Sequence, residues 1–203
     1  APLAINSEIK AGKVYMRDMF NLYKYENLLY TMLLTGKEVR LALEFSANLW
    51  CNQMESADDH LLRIEANPYN GRYRFEQPFY SFDSAAGIRY TVDVTKPFGQ
   101  RVQVLSMADG TSFGEEQTYR VAVNSYQGSG GGSILTDGAG IARQKLSERI
   151  VFSTDKDLRF YLAEEIKKVG VVTPRSLDQW KFIPEEWVEP AARRDYELLF
   201  GEK

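Results

Sequence analysis

The residues best suited to hold a flat ligand lie in one stretch, Gln117 to Ile134, which reads QTYRVAVNSYQGSGGGSI. Tyr119, Val121 and Val123 alternate with Thr118, Arg120 and Ala122, the two-residue period of a strand. The alternation breaks at Asn124-Ser125 and runs into Gly128, Gly130, Gly131 and Gly132, with Tyr126 standing between strand and glycines. Clustered glycines reach backbone angles that other residues resist, and they let a ligand approach the main chain. An aromatic ring beside them offers a flat apolar face. The segment lacks the Gly-Lys-Ser/Thr ending of a phosphate loop, and no helix start is evident there. GSGGGS also fits a flexible linker or a tight strand exit.

Other chemistries find little support. His60 is the single histidine, whereas a metallohydrolase site gathers several histidines with carboxylates. A Ser-His-Asp triad would have to use His60, and no G-x-S-x-G elbow accompanies it. His60 follows Asp58-Asp59 and reads as part of a solvated loop. Cys51 stands alone, so an intrachain disulfide is impossible. A net charge of -3 gives no basic face for a nucleic acid polymer. No apolar run reaches the roughly 18 residues of a membrane span, and no signal-peptide pattern opens the chain.

These residues need a scaffold, and 203 residues with 44% hydrophobic and 26% charged side chains can build a globular one. Met16, Met19 and Phe20 predict a short helix over 16–23. The nearly continuous apolar run 27–34 predicts a strand buried on both faces. Thr35-Gly36-Lys37-Glu38 fits a capping box, after which Val39, Ala42, Leu43, Ser46, Leu49 and Trp50 fall on one helical face. Residues 52–78 read as a long surface excursion. Tyr80 and Phe82 share a face if 79–83 is extended. Strands are predicted over 88–94 and 101–105, with a turn at 108–110 and a short strand at 149–152. A helix over 155–169 is capped by Ser153 or Thr154 and ended by Gly170, with Leu158, Tyr161, Leu162 and Ile166 on one face. The expected class is α+β, one domain with a mixed β-sheet and packed helices over 1–173. An aromatic-rich C-terminal tail with a short helix follows over 174–203.

Four segments, in this order, resemble the C-terminal domain of the 5'-nucleotidase family. They are Gly12 to Phe20, Leu33-Leu34-Thr35-Gly36-Lys37-Glu38-Val39, Gly87-Ile88-Arg89-Tyr90, and Val121-Ala122-Val123-Asn124-Ser125-Tyr126. The resemblance covers roughly residues 9–170. Residues 21–27, Tyr80-Ser81-Phe82-Asp83 and the glycine loop look like the 2',3'-cyclic-nucleotide 2'-phosphodiesterase/3'-nucleotidase branch. In 5'-nucleotidases proper the loop carries an Asp that holds the ribose hydroxyls, and Gly132 occupies the matching position here.

The resemblance implies a parent with two domains. An N-terminal metallophosphoesterase domain would hold two divalent metal ions, and this domain, with no cofactor of its own, would bind the nucleoside or nucleotide. The base would stack between Phe82 and Tyr126, with Tyr80 as the alternative to Phe82. Asn124, Gly128, Gly130, Gly131 and Gly132 would line base and ribose. The parent would be a phosphoric ester hydrolase working in the periplasm, outside the cell or anchored at its surface, and this chain by itself would be inactive. Two other classes compete: a carbohydrate- or ligand-binding module using the same aromatics, and an interaction domain in which those rings are core.

Overall fold

The apolar run after Asn27 forms the strand from which the fold is built. In a computed structural model, which describes residues 7–201, β1 (Leu28–Thr35) is the central strand of an antiparallel sheet. It pairs on one side with β6 (Thr118–Asn124) and on the other with β7 (Ile150–Asp157). β1 then runs without a loop into α2 (Gly36–Trp50) through the expected capping box. The Thr35 hydroxyl accepts from the Glu38 amide at 3.1 Å, and the Glu38 carboxylate accepts from the Thr35 amide at 2.7 Å.

A second sheet has the order β5-β4-β8, with β4 (Ile88–Asp93) antiparallel to β5 (Val102–Met107) and parallel to β8 (Trp180–Ile183). α2 separates the two sheets. Val39 and Ala42 pack toward the Met32–Leu34 core of the first, while Leu43 and Ala47 join Ile88, Tyr90 and Val92 of the second. The chain is therefore a single α+β domain, with helices packed on one antiparallel and one mixed three-stranded sheet where the sequence predicts a single mixed sheet.

Among the remaining elements, α1 (Met16–Leu22) contacts α4 (Leu158–Val169) near the start of β1. α3 (Ser125–Gly128) is a single turn directly after β6. Glu44, fully buried on α2, accepts from the amides of Gly99 at 2.9 Å and Val102 at 2.7 Å. A buried carboxylate costs desolvation unless its oxygens are satisfied, and these two bonds fasten β5 to the helix.

Several sequence expectations change. Residues 52–78 are not a bare surface excursion: they bury Met54 and Leu61 and fold a hairpin from β2 (Ile64–Ala66) and β3 (Tyr73–Phe75). The pattern is faint because the strands are three residues each. Residues 79–81 form a 3-10 turn rather than a strand. Asp157, not Ser153 or Thr154, caps α4, because β7 continues to residue 157.

The C-terminal segment is built into the body. β8 completes the second sheet, and α5 (Glu185–Phe200) buries Ala191 and Asp195. His60 lies in a loop with its side chain 42% exposed, and the structure adds a partner: its Nδ1 lies 2.5 Å from Oδ1 of the fully buried Asp195, whose other oxygen accepts from the Leu62 amide at 2.8 Å.

Asp157 accepts from the Phe160 amide at 3.0 Å and binds the Arg159 guanidinium at 2.5 Å. The Arg159 bond first, then the capped amide, hold its carboxyl below the ordinary 3.8. A depressed carboxylate stabilises the fold fully above its unfolded value, and that contribution is lost as pH falls through the lower folded value. We therefore expect Asp157→Ala to lose about 1 kcal/mol at pH 7, the usual cost of an N-cap. The gap from the parent chain should close as pH drops below 3.8. Urea melts of both proteins across that range check it; a gap that persists in acid would contradict the assignment.

Candidate functional site

The glycine loop is held by hydrogen bonds of its own first residues. Asn124 ends β6 and caps α3, its Oδ1 accepting from the Gln127 amide at 2.8 Å. The Ser125 hydroxyl accepts from the Leu28 amide at 3.1 Å, tying the turn to β1. The one-turn helix follows because Asn is among the best N-caps, a signal that the glycines downstream obscured.

The glycines mostly serve packing. A side chain at Gly128 would place its Cβ 2.6 Å from the Tyr30 ring. At Gly131 a Cβ would lie 2.6 Å from three ring atoms of Tyr126 at once, so the Tyr126 ring rests flat on Gly131. Gly130, at φ 90°, faces Leu146 and Arg143, while Gly132 turns at φ 70°.

Above this loop opens a cleft of about 470 Å³. Tyr126 and Tyr80 both line it and are 54% and 45% exposed, which places them at the surface rather than in the core. Among the described residues no ring contact joins the two, whereas Tyr80 touches Phe79 edge-on. Asn124 and Gly132 also line the cleft. Gly128, Gly130, Gly131 and Phe82 do not.

Phe82 requires a correction. The 3-10 turn after Pro78 sends Tyr80 and Phe82 in different directions, and Phe82 packs against Trp50 at 5.4 Å and Trp180 at 5.9 Å. An extended segment would have placed both rings on one side, which is why the sequence pattern misled.

Residues without an earlier role complete the rim. Gln127 donates to Asp83 at 2.7 Å, and Asn27 donates to the Tyr23 hydroxyl at 2.9 Å. Burial pushes the Tyr23 phenol above its ordinary value, against the opposing Asn27 bond, so it keeps its proton at neutral pH. The Asp83 backbone is fixed from below: the buried Ser46 hydroxyl donates to its carbonyl at 3.0 Å and accepts from its amide at 2.7 Å. Asn27 and Asp83 lie inside segments that carried the family resemblance. Their place at the cleft comes from elements about 55 residues apart in sequence.

Together these groups form a half-open slot with aromatic walls and amide, carboxylate and hydroxyl groups at its edge. Such a site can hold a flat heterocycle and read its polar rim. Among the described residues no group of three or more His, Cys, Asp or Glu side chains is placed to hold a metal ion, and no helix is long and apolar enough to cross a membrane.

Comparison with known proteins gives a consistent result. A family model described as "5'-nucleotidase, C-terminal domain" matches residues 1–137. The trifunctional nucleotide phosphoesterase protein YfkN of Bacillus subtilis is 29% identical over 194 residues, covering 88% of this chain and 12% of that protein. A Salmonella typhimurium 2',3'-cyclic-nucleotide 2'-phosphodiesterase/3'-nucleotidase is 26% identical over 189 residues, covering 87% of this chain and 27% of the other. This chain thus spans about a quarter or less of these relatives. In fold it is similar to a candidate 5'-nucleotidase from Staphylococcus aureus, with a TM-score of 0.59 and 21% identity over 83% of this chain and 30% of that one.

The contact between Tyr126 and Gly131 is open to direct test. Gly131→Ala should push the Tyr126 ring aside at little cost in stability, within about 0.5 kcal/mol, because the displaced group is the free end of a half-exposed side chain. Shifted Tyr126 ring resonances with an unchanged melting temperature are the expected result. Unmoved ring signals would show that the loop does not support the ring.

Proposed function

Because this chain belongs to the 5'-nucleotidase C-terminal domain family, we propose that it is the substrate-specificity domain of a two-domain phosphoesterase acting on nucleotides. The observation that carries this reading is the pair of half-exposed tyrosines, Tyr80 and Tyr126, lining one cleft beside the glycine loop. The base slides between the two rings. Stacking contributes roughly 1–3 kcal/mol per base and tolerates different bases. Gln127, Asp83 and Asn27 stand at the cleft to meet the polar edges of base and sugar.

In this reading the two domains divide the labour. Two divalent ions in an N-terminal domain would supply activated water and a polarised phosphate. This chain supplies orientation: binding energy gathered at the base, remote from phosphorus, is used to align the ester. Gly132, where an Asp would hold the ribose hydroxyls in 5'-nucleotidases proper, leaves the sugar edge open. That opening suits substrates phosphorylated at the 2' or 3' oxygen and favours the cyclic phosphodiesterase/3'-nucleotidase branch. Work of this kind belongs in the periplasm, outside the cell or at its surface.

Ligand-observed NMR with adenosine tests the base site. Saturation transfer to the adenine protons is expected with this chain, and Tyr126→Ala and Tyr80→Ala should each weaken binding roughly 5- to 150-fold, the range that loss of one stacking face corresponds to. Phe82→Leu should leave transfer intact. Transfer that survives both tyrosine substitutions would remove the cleft from the reading. Transfer from methyl glycosides but not adenosine would favour a carbohydrate module.

A further inference from the structure

β6 pairs with β1 along one edge, and among the described residues no strand lies along the other. Its pairing with β1 runs from Asn124 to Thr118 without a bulge, and the strand contains no proline. An uncovered edge of this kind presents unpaired N–H and C=O groups at alternate residues, which folded proteins normally blunt or cover.

The space beside that edge is a second cavity, of about 750 Å³. Six consecutive β6 residues, Thr118 to Val123, line it. Side chains on both faces of the sheet are among them, so the cavity meets the strand edge-on. Val39, Ala42 and Leu43 of α2 form its inner wall, residues 83–88 its far wall, and Phe113 part of its end. Six residues of strand are about 20 Å long at the usual rise. The void thus has the length of a strand, an unpaired ladder on one side, and apolar side chains beneath.

We propose that this slot receives one additional β-strand from the polypeptide that flanks this domain in the longer protein, so that β6 becomes an interior strand. The inference rests on the two-domain reading above. The supply of chain is ample: this domain matches 12% and 27% of two curated relatives, leaving most of each outside it. The walls specify the strand's character. Residues facing α2 must be apolar, and those facing outward, beside the exposed Thr118, Arg120 and Ala122, must be polar, so the guest sequence alternates. The slot also borders the base cleft, since Asp83, Ser84, Ala122, Val123, Gln127 and Ile134 line both. A strand seated there would brace β6 immediately before Asn124 and Tyr126.

Residue-resolved amide hydrogen exchange across 118–123, in this chain and in the two-domain polypeptide, tests the proposal. Alternate β6 amides should exchange at least tenfold more slowly in the two-domain polypeptide. Ala86→Glu, an exposed position on the slot wall, should abolish that gain while leaving this chain's melting temperature unchanged. Equal exchange in the two proteins would overturn the proposal. So would β6 protection in this chain that rises with its concentration, which indicates a second copy, or that disappears on extraction with organic solvent, which indicates a small apolar ligand. Adenosine saturation transfer on the two-domain polypeptide separates the two readings: transfer with unprotected β6 sinks the slot alone, and protected β6 without transfer sinks the base site alone.

Discussion

The fold depends on the junction where β1 becomes α2. Thr35 is both the last strand residue and the helix cap, and its reciprocal bonds with Glu38 leave no slack between the two elements. The same few residues gather the other strands. The Gly36 amide donates to the Gln117 carbonyl and the Lys37 amide to Glu115, each at 2.9 Å, which fixes where β6 begins. Glu38 meets Arg149 at 3.1 Å, just ahead of β7. Gly36 must be glycine, because a Cβ there would lie 2.3 Å from the Gly114 carbonyl oxygen. A cap alone is worth about 1 kcal/mol. Its larger effect is geometric, since register in a half-buried sheet admits no one-residue slip.

That geometry reaches the cleft by two routes. Through the sheet, the register set at Thr35↔Thr118 places Asn124 opposite Leu29, and Ser125 then bonds the Leu28 amide. Asn124 caps α3, and Tyr126 is laid onto Gly131. Through the helix, Ser46 holds the backbone of Asp83, two residues after the turn that presents Tyr80. Both aromatic walls thus hang from the same strand–helix unit. Neither ring is buried in the core, so each is left half exposed where the cleft opens.

Buried polar groups attach the peripheral parts. Glu44 draws β5 against α2, and Asp195 on α5 gathers His60 and the Leu62 amide. The adjacent Arg194 reaches the carbonyls of Ala57 and Asp59 at 2.8 and 2.7 Å. Removing one partner from such a set leaves a buried charge or acceptor unpaired, which is why a few side chains suffice to fix a long loop and a terminal helix.

The sequence by itself determined the elements whose signals are local. The capping box at Thr35, the existence of β1, the alternation of β4 and β6, and Gly170 at the end of α4 are readable because each signal lies in residues a few positions apart, although β1 fully buries only Met32 and Leu34, on one face, and not both faces as its apolar run predicts. The order of its short motifs was enough to indicate the family, and Tyr126 beside four glycines stood out as an exposed ring. Tertiary structure decided what depends on distant partners. It packed the partly buried Phe82 against the core and turned Tyr80 toward the cleft, because a 3-10 turn and the rings of Trp50 and Trp180, not local alternation, set the direction of those side chains. It made β8 a partner of β4 across 90 residues, and it joined His60 to Asp195 across 135. Pairings of that separation leave no periodic trace in the chain, since each is fixed by where two surfaces meet once the core has formed.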